Sequence, residues 1–171
     1  VDDGLFVTES HYLLDLLDTV QYDTIYHEHL KYYSMHSIIR LFDYYGFTVV
    51  DVDRISNYGG SIRVYAMKGK GREVRSSVTE LLTEEMTRGI GEAKIFDNFV
   101  KKVRQSKLDL RKLIVKAQEN GEEVVGVGSP GRAATLLGYC KIDVDQMTYI
   151  AEQSTSLKLG LFMPGVHIPI L

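Results

Sequence analysis

Tryptophan is absent from the 171 residues, cysteine occurs once, at Cys140, and proline three times. A single cysteine excludes an internal disulfide framework and any cysteine-rich zinc site. It points to a reducing compartment, and the expected location is the cytoplasm. No apolar run approaches the roughly 20 residues that cross a bilayer, so no membrane role is expected. The chain opens Val1-Asp2-Asp3-Gly4, with neither Met nor a basic stretch, so no signal peptide is read and the start reads as a fragment boundary. Net charge is -3, which argues against nucleic acid as the partner. Repeats and low-complexity tracts are absent too. Hydrophobic residues at 44% and charged residues at 25% belong to a globular chain, neither disordered nor collagen-like. The length suits one large domain or two small ones.

What is present is rich in tyrosine, with 11 residues. Composition changes near Lys68-Gly69-Lys70-Gly71, aromatic and strand-like before it, charged and helical after it, so residues 68–72 read as a linker. Ahead of it, residues 4–8 read as a strand and 12–17 as a short helix. Ile38, Leu41, Phe42 and Tyr45 follow one helical face over residues 37–45, with Gly46 as the stop. Residues 47–53 and 61–67 read as strands joined by a turn at Gly59-Gly60. Two consecutive strands suit an α/β sheet that finishes in an antiparallel hairpin. After the linker, helices are expected over 73–88 and 92–120, the second with Ile95, Phe99, Val103, Leu110, Leu113, Ile114 and Ala117 on its apolar face. A buried strand at 122–127, a helix at 132–139 and a strand at 147–151 complete a βαβ unit of Rossmann-like type.

Three stretches can carry chemistry. Tyr26-His27-Glu28-His29 gathers four hydrogen-bonding side chains. On an extended segment Tyr26 and Glu28 face one way and the histidines the other, whereas on a bent loop all can converge. A histidine removes a proton near neutral pH, a carboxylate orients it, and a tyrosine hydroxyl can stabilise a developing enolate. A polar edge strand with satisfied histidines is the plainer alternative, and zinc on two His and one Glu a weaker one; no metal is expected. Gly126-Val127-Gly128-Ser129-Pro130-Gly131 fits G-x-G-x-x-G between a strand and a helix, where backbone amides can approach a phosphate. Arg132 adds a cation, and Glu152 lies about 20 residues on, where ribose hydroxyls are read in NAD enzymes. A tight turn without ligand is again the plainer alternative. Met163-Pro164-Gly165-Val166-His167-Ile168-Pro169 is a stiff loop around a histidine, structural when taken by itself.

Together these stretches resemble the S-adenosylmethionine-dependent C-methyltransferases of nucleotide-linked ketodeoxysugars. The matching segments are Tyr22-Asp23-Thr24-Ile25-Tyr26-His27-Glu28-His29, Gly59-Gly60-Ser61-Ile62-Arg63-Val64-Tyr65-Ala66, the glycine-rich loop through Arg132 with Leu136-Leu137-Gly138-Tyr139-Cys140, and Pro164-Gly165-Val166-His167-Ile168-Pro169. Tyr58 stands where the family often has His, and Arg132 where it commonly has Lys. The resemblance implies an α/β fold: residues 1–68 as the end of a class I methyltransferase sheet, then helices and a Rossmann-like domain over 73–171. It also implies a fragment without the zinc domain and the main cofactor loop, stopping short of the family's usual end.

By the same resemblance His29 is the general base, with Tyr26 and Glu28 positioning it, holding the sugar or stabilising the enolate. Gly126, Gly128, Ser129 and Arg132 cradle a diphosphate. Glu152 and Lys158 lie near the nucleotide end, and His167 joins the substrate-binding set. The cofactor implied is S-adenosylmethionine and the partner a nucleotide-diphosphate sugar, TDP-linked by preference. The chain alone is expected to be inactive. Two alternatives stay open: an NAD(P)-dependent oxidoreductase built on the G-x-G-x-x-G unit, and a nucleotide-sugar-binding module without chemistry.

Overall fold

A computed structural model describes residues 3–171. The chain forms two compact units. One comprises the residues up to Gln21 together with Lys31–Val100, the other Tyr22–Leu30 with Lys101–Leu171.

The first unit is built on β1 (Leu5–His11), β2 (Phe47–Ile55) and β3 (Ser61–Lys68), in the order β1-β3-β2. β3 inserts between the others and runs against both, from Leu5↔Met67 to His11↔Ser61 on one side and from Phe47↔Lys68 to Ile55↔Ser61 on the other. The expected hairpin is therefore present. Alternate β3 residues Ile62, Val64 and Ala66 are fully buried, the period of a strand with one covered face.

Against the sheet lie α1 (Leu13–Thr19), α2 (Met35–Tyr44) and α3 (Ser76–Arg88), and α4 (Ala93–Glu119) begins here. α2 starts on a capping box, Ser34 with Ser37, and the Gly46 amide donates back to the Asp43 carbonyl at 3.0 Å. Leu14, Met35, Ile38, Val49, Val52, Val78 and Leu81 close the core around the β3 residues.

The units do not part at residues 68–72. That stretch is a turn within the first unit, where the Gly69 amide donates to the Gly46 carbonyl at 2.8 Å. Val78 and Leu81 of α3 bury in the core that the strands build, so the division falls inside α4, after Val100.

Gly59 and Gly60 explain themselves here. Their φ angles are +85° and +127°, a Cβ on Gly59 would sit 2.5 Å from Gln21 Nε2, and one on Gly60 would overlap the Asp15 side chain. The turn accepts only glycine at both places.

The second unit holds β4 (Gly126–Val127), α5 (Gly131–Cys140) and β5 (Ile150–Ala151), the strands pairing parallel as Gly126↔Ile150 and Val127↔Ala151. This is the expected βαβ unit. The strand forecast over 122–127 is much shorter, and Val127 is 88% exposed, not buried. Its ladder nevertheless runs from the Val124 carbonyl, which accepts from the Thr148 amide, to the Gly128 amide, which donates to the Ala151 carbonyl. Residues 169–171 add a further parallel pairing beside β5, with the Ile150 amide donating to the Pro169 carbonyl at 2.9 Å and the Glu152 amide to the Leu171 carbonyl at 2.8 Å. Ile114, Leu137, Cys140, Ile142, Ile150, Met163 and Ile168 form the core. No helix of the described residues is long and apolar enough to cross a membrane.

Candidate active site

Residues 22–30 leave the first unit and belong to the second. Tyr22 is the reason. It opens a single 3-10 turn, Tyr22–Thr24, and is buried, 7% exposed. It meets Tyr139 edge-on at 5.1 Å between centroids, and its hydroxyl lies 3.5 Å from Cys140 Sγ. Burial first, and then the Cys140 contact, push its phenol pKa up.

Beyond Tyr22 the chain bends, which settles the choice between an extended segment and a loop. The Tyr26 amide donates to the Thr24 carbonyl at 3.0 Å and the His29 amide to the Tyr26 carbonyl at 3.1 Å. The bend brings the expected side chains together. Tyr26 donates its hydroxyl proton to Glu28 Oε2 at 2.8 Å, and the Tyr26 ring lies 5.2 Å from the His29 ring and 5.5 Å from the His27 ring, both edge-on.

This turn packs against the start of α5. A Cβ on Gly131 would come within 3.1 Å of Tyr26 Cε2, so glycine there lets the aromatic ring approach the backbone. Arg132 then reaches Asp23, Nε donating to Oδ2 at 2.6 Å and Nη2 to Oδ1 at 2.8 Å. Asp23 belongs to the Tyr22–His29 segment, where its sequence context points to no role. Only its charge, opposite to that of Arg132 and 109 residues away, hints at the pairing.

The glycine-rich loop spends most of its donors internally. The Gly128 amide donates to the Ala151 carbonyl at 2.8 Å. The Ser129 amide and hydroxyl donate to Glu152 Oε2 at 2.9 and 2.6 Å. Pro130 has no N–H. The anion that Ser129 meets in this chain is therefore Glu152, and the first-turn amides at Gly131 and Arg132 are the loop donors that the helix itself does not use. Gly126 has a packing reason, since a Cβ there would fall 2.9 Å from Ile150 Cγ1.

Glu152 has both carboxylate oxygens engaged, Oε1 accepting from the Gln153 amide at 3.0 Å. The Ser129 hydroxyl, then the Gln153 and Ser129 amides, hold its carboxyl down to about 2. Lys158 Nζ donates to the Ser129 carbonyl at 2.5 Å, which adds a cation to the same cluster.

His167 stands apart. It is exposed, adopts φ 55°, and closes a turn in which its amide donates to the Met163 carbonyl at 3.0 Å. Among the described residues no hydrogen bond joins its side chain to the loop or to the Tyr26 turn. Nor does any group of three or more His, Cys, Asp and Glu among those residues take a metal-binding arrangement.

Two comparisons bear on this arrangement. The profile of a protein family described as the C-methyltransferase C-terminal domain matches residues 56–171. The C-methyltransferase NovU of Streptomyces niveus is 37% identical over 169 residues, which cover 98% of this chain and 40% of that protein. The chain thus spans well under half the length of the curated relative it matches.

Proposed function

Because the chain belongs to the C-methyltransferase C-terminal domain family, we propose that the intact protein is an S-adenosylmethionine-dependent C-methyltransferase of a nucleotide-linked ketodeoxysugar. The observation that carries this reading is the packing of the Tyr26–Glu28–His29 turn on the start of α5, beside the glycine-rich loop.

The chemistry follows from the side chains. His29 takes the proton next to the sugar ketone, and the electron pair of that C–H bond moves into the enolate. The enolate oxygen needs a donor. Tyr26 holds its single hydroxyl proton toward Glu28, and re-aiming it at the enolate oxygen turns the same group into the stabiliser. The diphosphate meets the α5 amides at Gly131 and Arg132 rather than Ser129, whose donors Glu152 holds.

S-adenosylmethionine would supply an electrophilic methyl group. Among the described residues the G-x-G-x-x-G pattern occurs once, at residues 126–131. The chain alone is accordingly proposed to hold a sugar nucleotide without transferring methyl. A cytoplasmic location goes with a single buried thiol at Cys140.

The test is His29→Ala in the full-length protein, assayed for methyl transfer to a TDP-linked ketosugar. The rate is expected to fall about a hundredfold or more. An unchanged rate would remove His29 as the base. A nicotinamide cofactor would need Glu152 free as a ribose acceptor, and both its oxygens are already engaged.

A further inference from the structure

Arg132 is where the glycine-rich loop and the base-bearing turn are fastened together. Two of its nitrogens donate side by side to the two oxygens of Asp23, with the side chains 36% and 20% exposed. Such a two-point contact fixes an angle as well as a distance, which a lysine ammonium cannot do. Asp23 lies three residues before Tyr26, and its neighbour Tyr22 is anchored on Tyr139 and Cys140. The neighbour of Arg132, Gly131, abuts the Tyr26 ring. The start of the turn is thus held at two consecutive residues, and its end carries His29. Asp23 neutralises the guanidinium and occupies its Nε–Nη2 edge, the edge that would otherwise grip a phosphate bidentately.

We propose that Asp23 and Arg132 are a positioning pair for proton abstraction: they set the orientation of the Tyr26–His29 turn on α5, and Arg132 is not chiefly a diphosphate ligand. The proposal rests on His29 being the base, so its test has one arm that does not depend on that reading.

The variants are Asp23→Asn, Arg132→Lys, Arg132→Ala and the exchanged pair Asp23→Arg with Arg132→Asp, all in the full-length protein. The first arm needs no ligand. Amide hydrogen exchange at Tyr26 and His29 is expected to speed up about tenfold in Asp23→Asn and Arg132→Lys. Amides of β3 should stay as they are, and the exchanged pair should recover most of the protection. The second arm follows wash-in of deuterium next to the ketone of a TDP-linked 4-ketosugar, alongside TDP affinity by calorimetry. Asp23→Asn and Arg132→Lys should slow the wash-in about tenfold while TDP affinity changes less than about threefold. The exchanged pair should restore the rate.

Unchanged amide exchange in both single variants would overturn the proposal. So would a loss of TDP affinity of about tenfold in Arg132→Ala with Asp23→Asn behaving as wild type, because Arg132 would then be a diphosphate ligand. If the wild-type protein neither binds TDP nor washes in deuterium, the functional reading fails, and the amide arm alone decides whether the pair holds the turn.

Discussion

Glu85 offers the sharpest test of how this chain holds its first unit together. It lies on α3 with no exposed surface. Its carboxylate accepts the Met35 amide at 2.6 Å and the His36 amide at 3.1 Å, and pairs with His36 Nδ1 at 2.5 Å. The acid of one helix thus caps the first turn of another, where amides lack intrahelical partners. Glu85→Ala removes the acceptor from both amides. Met35 is fully buried, so its N–H finds no water in exchange, whereas the His36 side chain, 41% exposed, can be rehydrated. Hydrogen bonds to a charged acceptor are worth about 1.5–3 kcal/mol each, so the cost is about 3–5 kcal/mol once the imidazole regains water. At a urea slope of about 2 kcal/mol/M, the midpoint should fall by about 2 M. Tryptophan is absent, so far-UV circular dichroism is the signal, with amide exchange of α2 to locate the loss. Glu85→Gln keeps one acceptor oxygen and should cost about half as much. A shift below about 0.5 M for Glu85→Ala would show that the capping is dispensable and refute the argument.

Two further outcomes follow from other contacts. Gly60→Ala should cost about 2–4 kcal/mol in thermal unfolding, because φ is +127° and the new methyl overlaps Asp15; a loss under about 0.5 kcal/mol would mean that the turn relaxes freely. For Glu152, a carboxyl lowered from 4.5 to about 2 adds stability that is present above pH 4.5 and is lost as pH falls through about 2. A carbon NMR titration should place its midpoint near 2, and Ser129→Ala, which removes the largest cause, should raise it; a midpoint at 4.5 in the wild type would mean that the Ser129 contacts do not persist in solution.

Local pattern carried much of the fold. The alternation Ile62, Val64, Ala66 marks a half-covered strand, and Ser34 ahead of an apolar face and Gly46 behind it bracket α2. Glycines at 126, 128 and 131 announce the turn from β4 into α5. Pattern failed where tertiary packing decides. Leu113 fits an apolar stripe on α4 yet is 66% exposed, one residue, or about 100° of helix, away from the buried Ile114. Residues 68–72 look like a linker by composition, but nothing local says that α3 buries Val78 and Leu81 against the preceding strands. In the site, the bend at Tyr26 and the Asp23–Arg132 pair depend on Tyr22 reaching Cys140 across 118 residues, a contact without any periodic or spacing signature.

Internal hydrogen bonds change what a glycine-rich loop can do in this chain. The pattern G-x-G-x-x-G is read as a phosphate cradle because its amides are assumed to point, unspent, at the ligand. Here Gly126 serves strand packing, Gly128 completes a ladder, Ser129 is held by an internal carboxylate, and Pro130 donates nothing. A carboxyl held down to about 2 stays ionised throughout the neutral range, so an incoming phosphate would have to displace one anion with another. What remains for an anion is the first turn of α5, and that is where Tyr26 packs and Arg132 ties down Asp23. The start of α5 and the Tyr26–His29 turn are therefore packed as one structural group. In the proposed reading a diphosphate is kept from Ser129 and meets the helix end against which the Tyr26 ring of the His29-bearing turn packs.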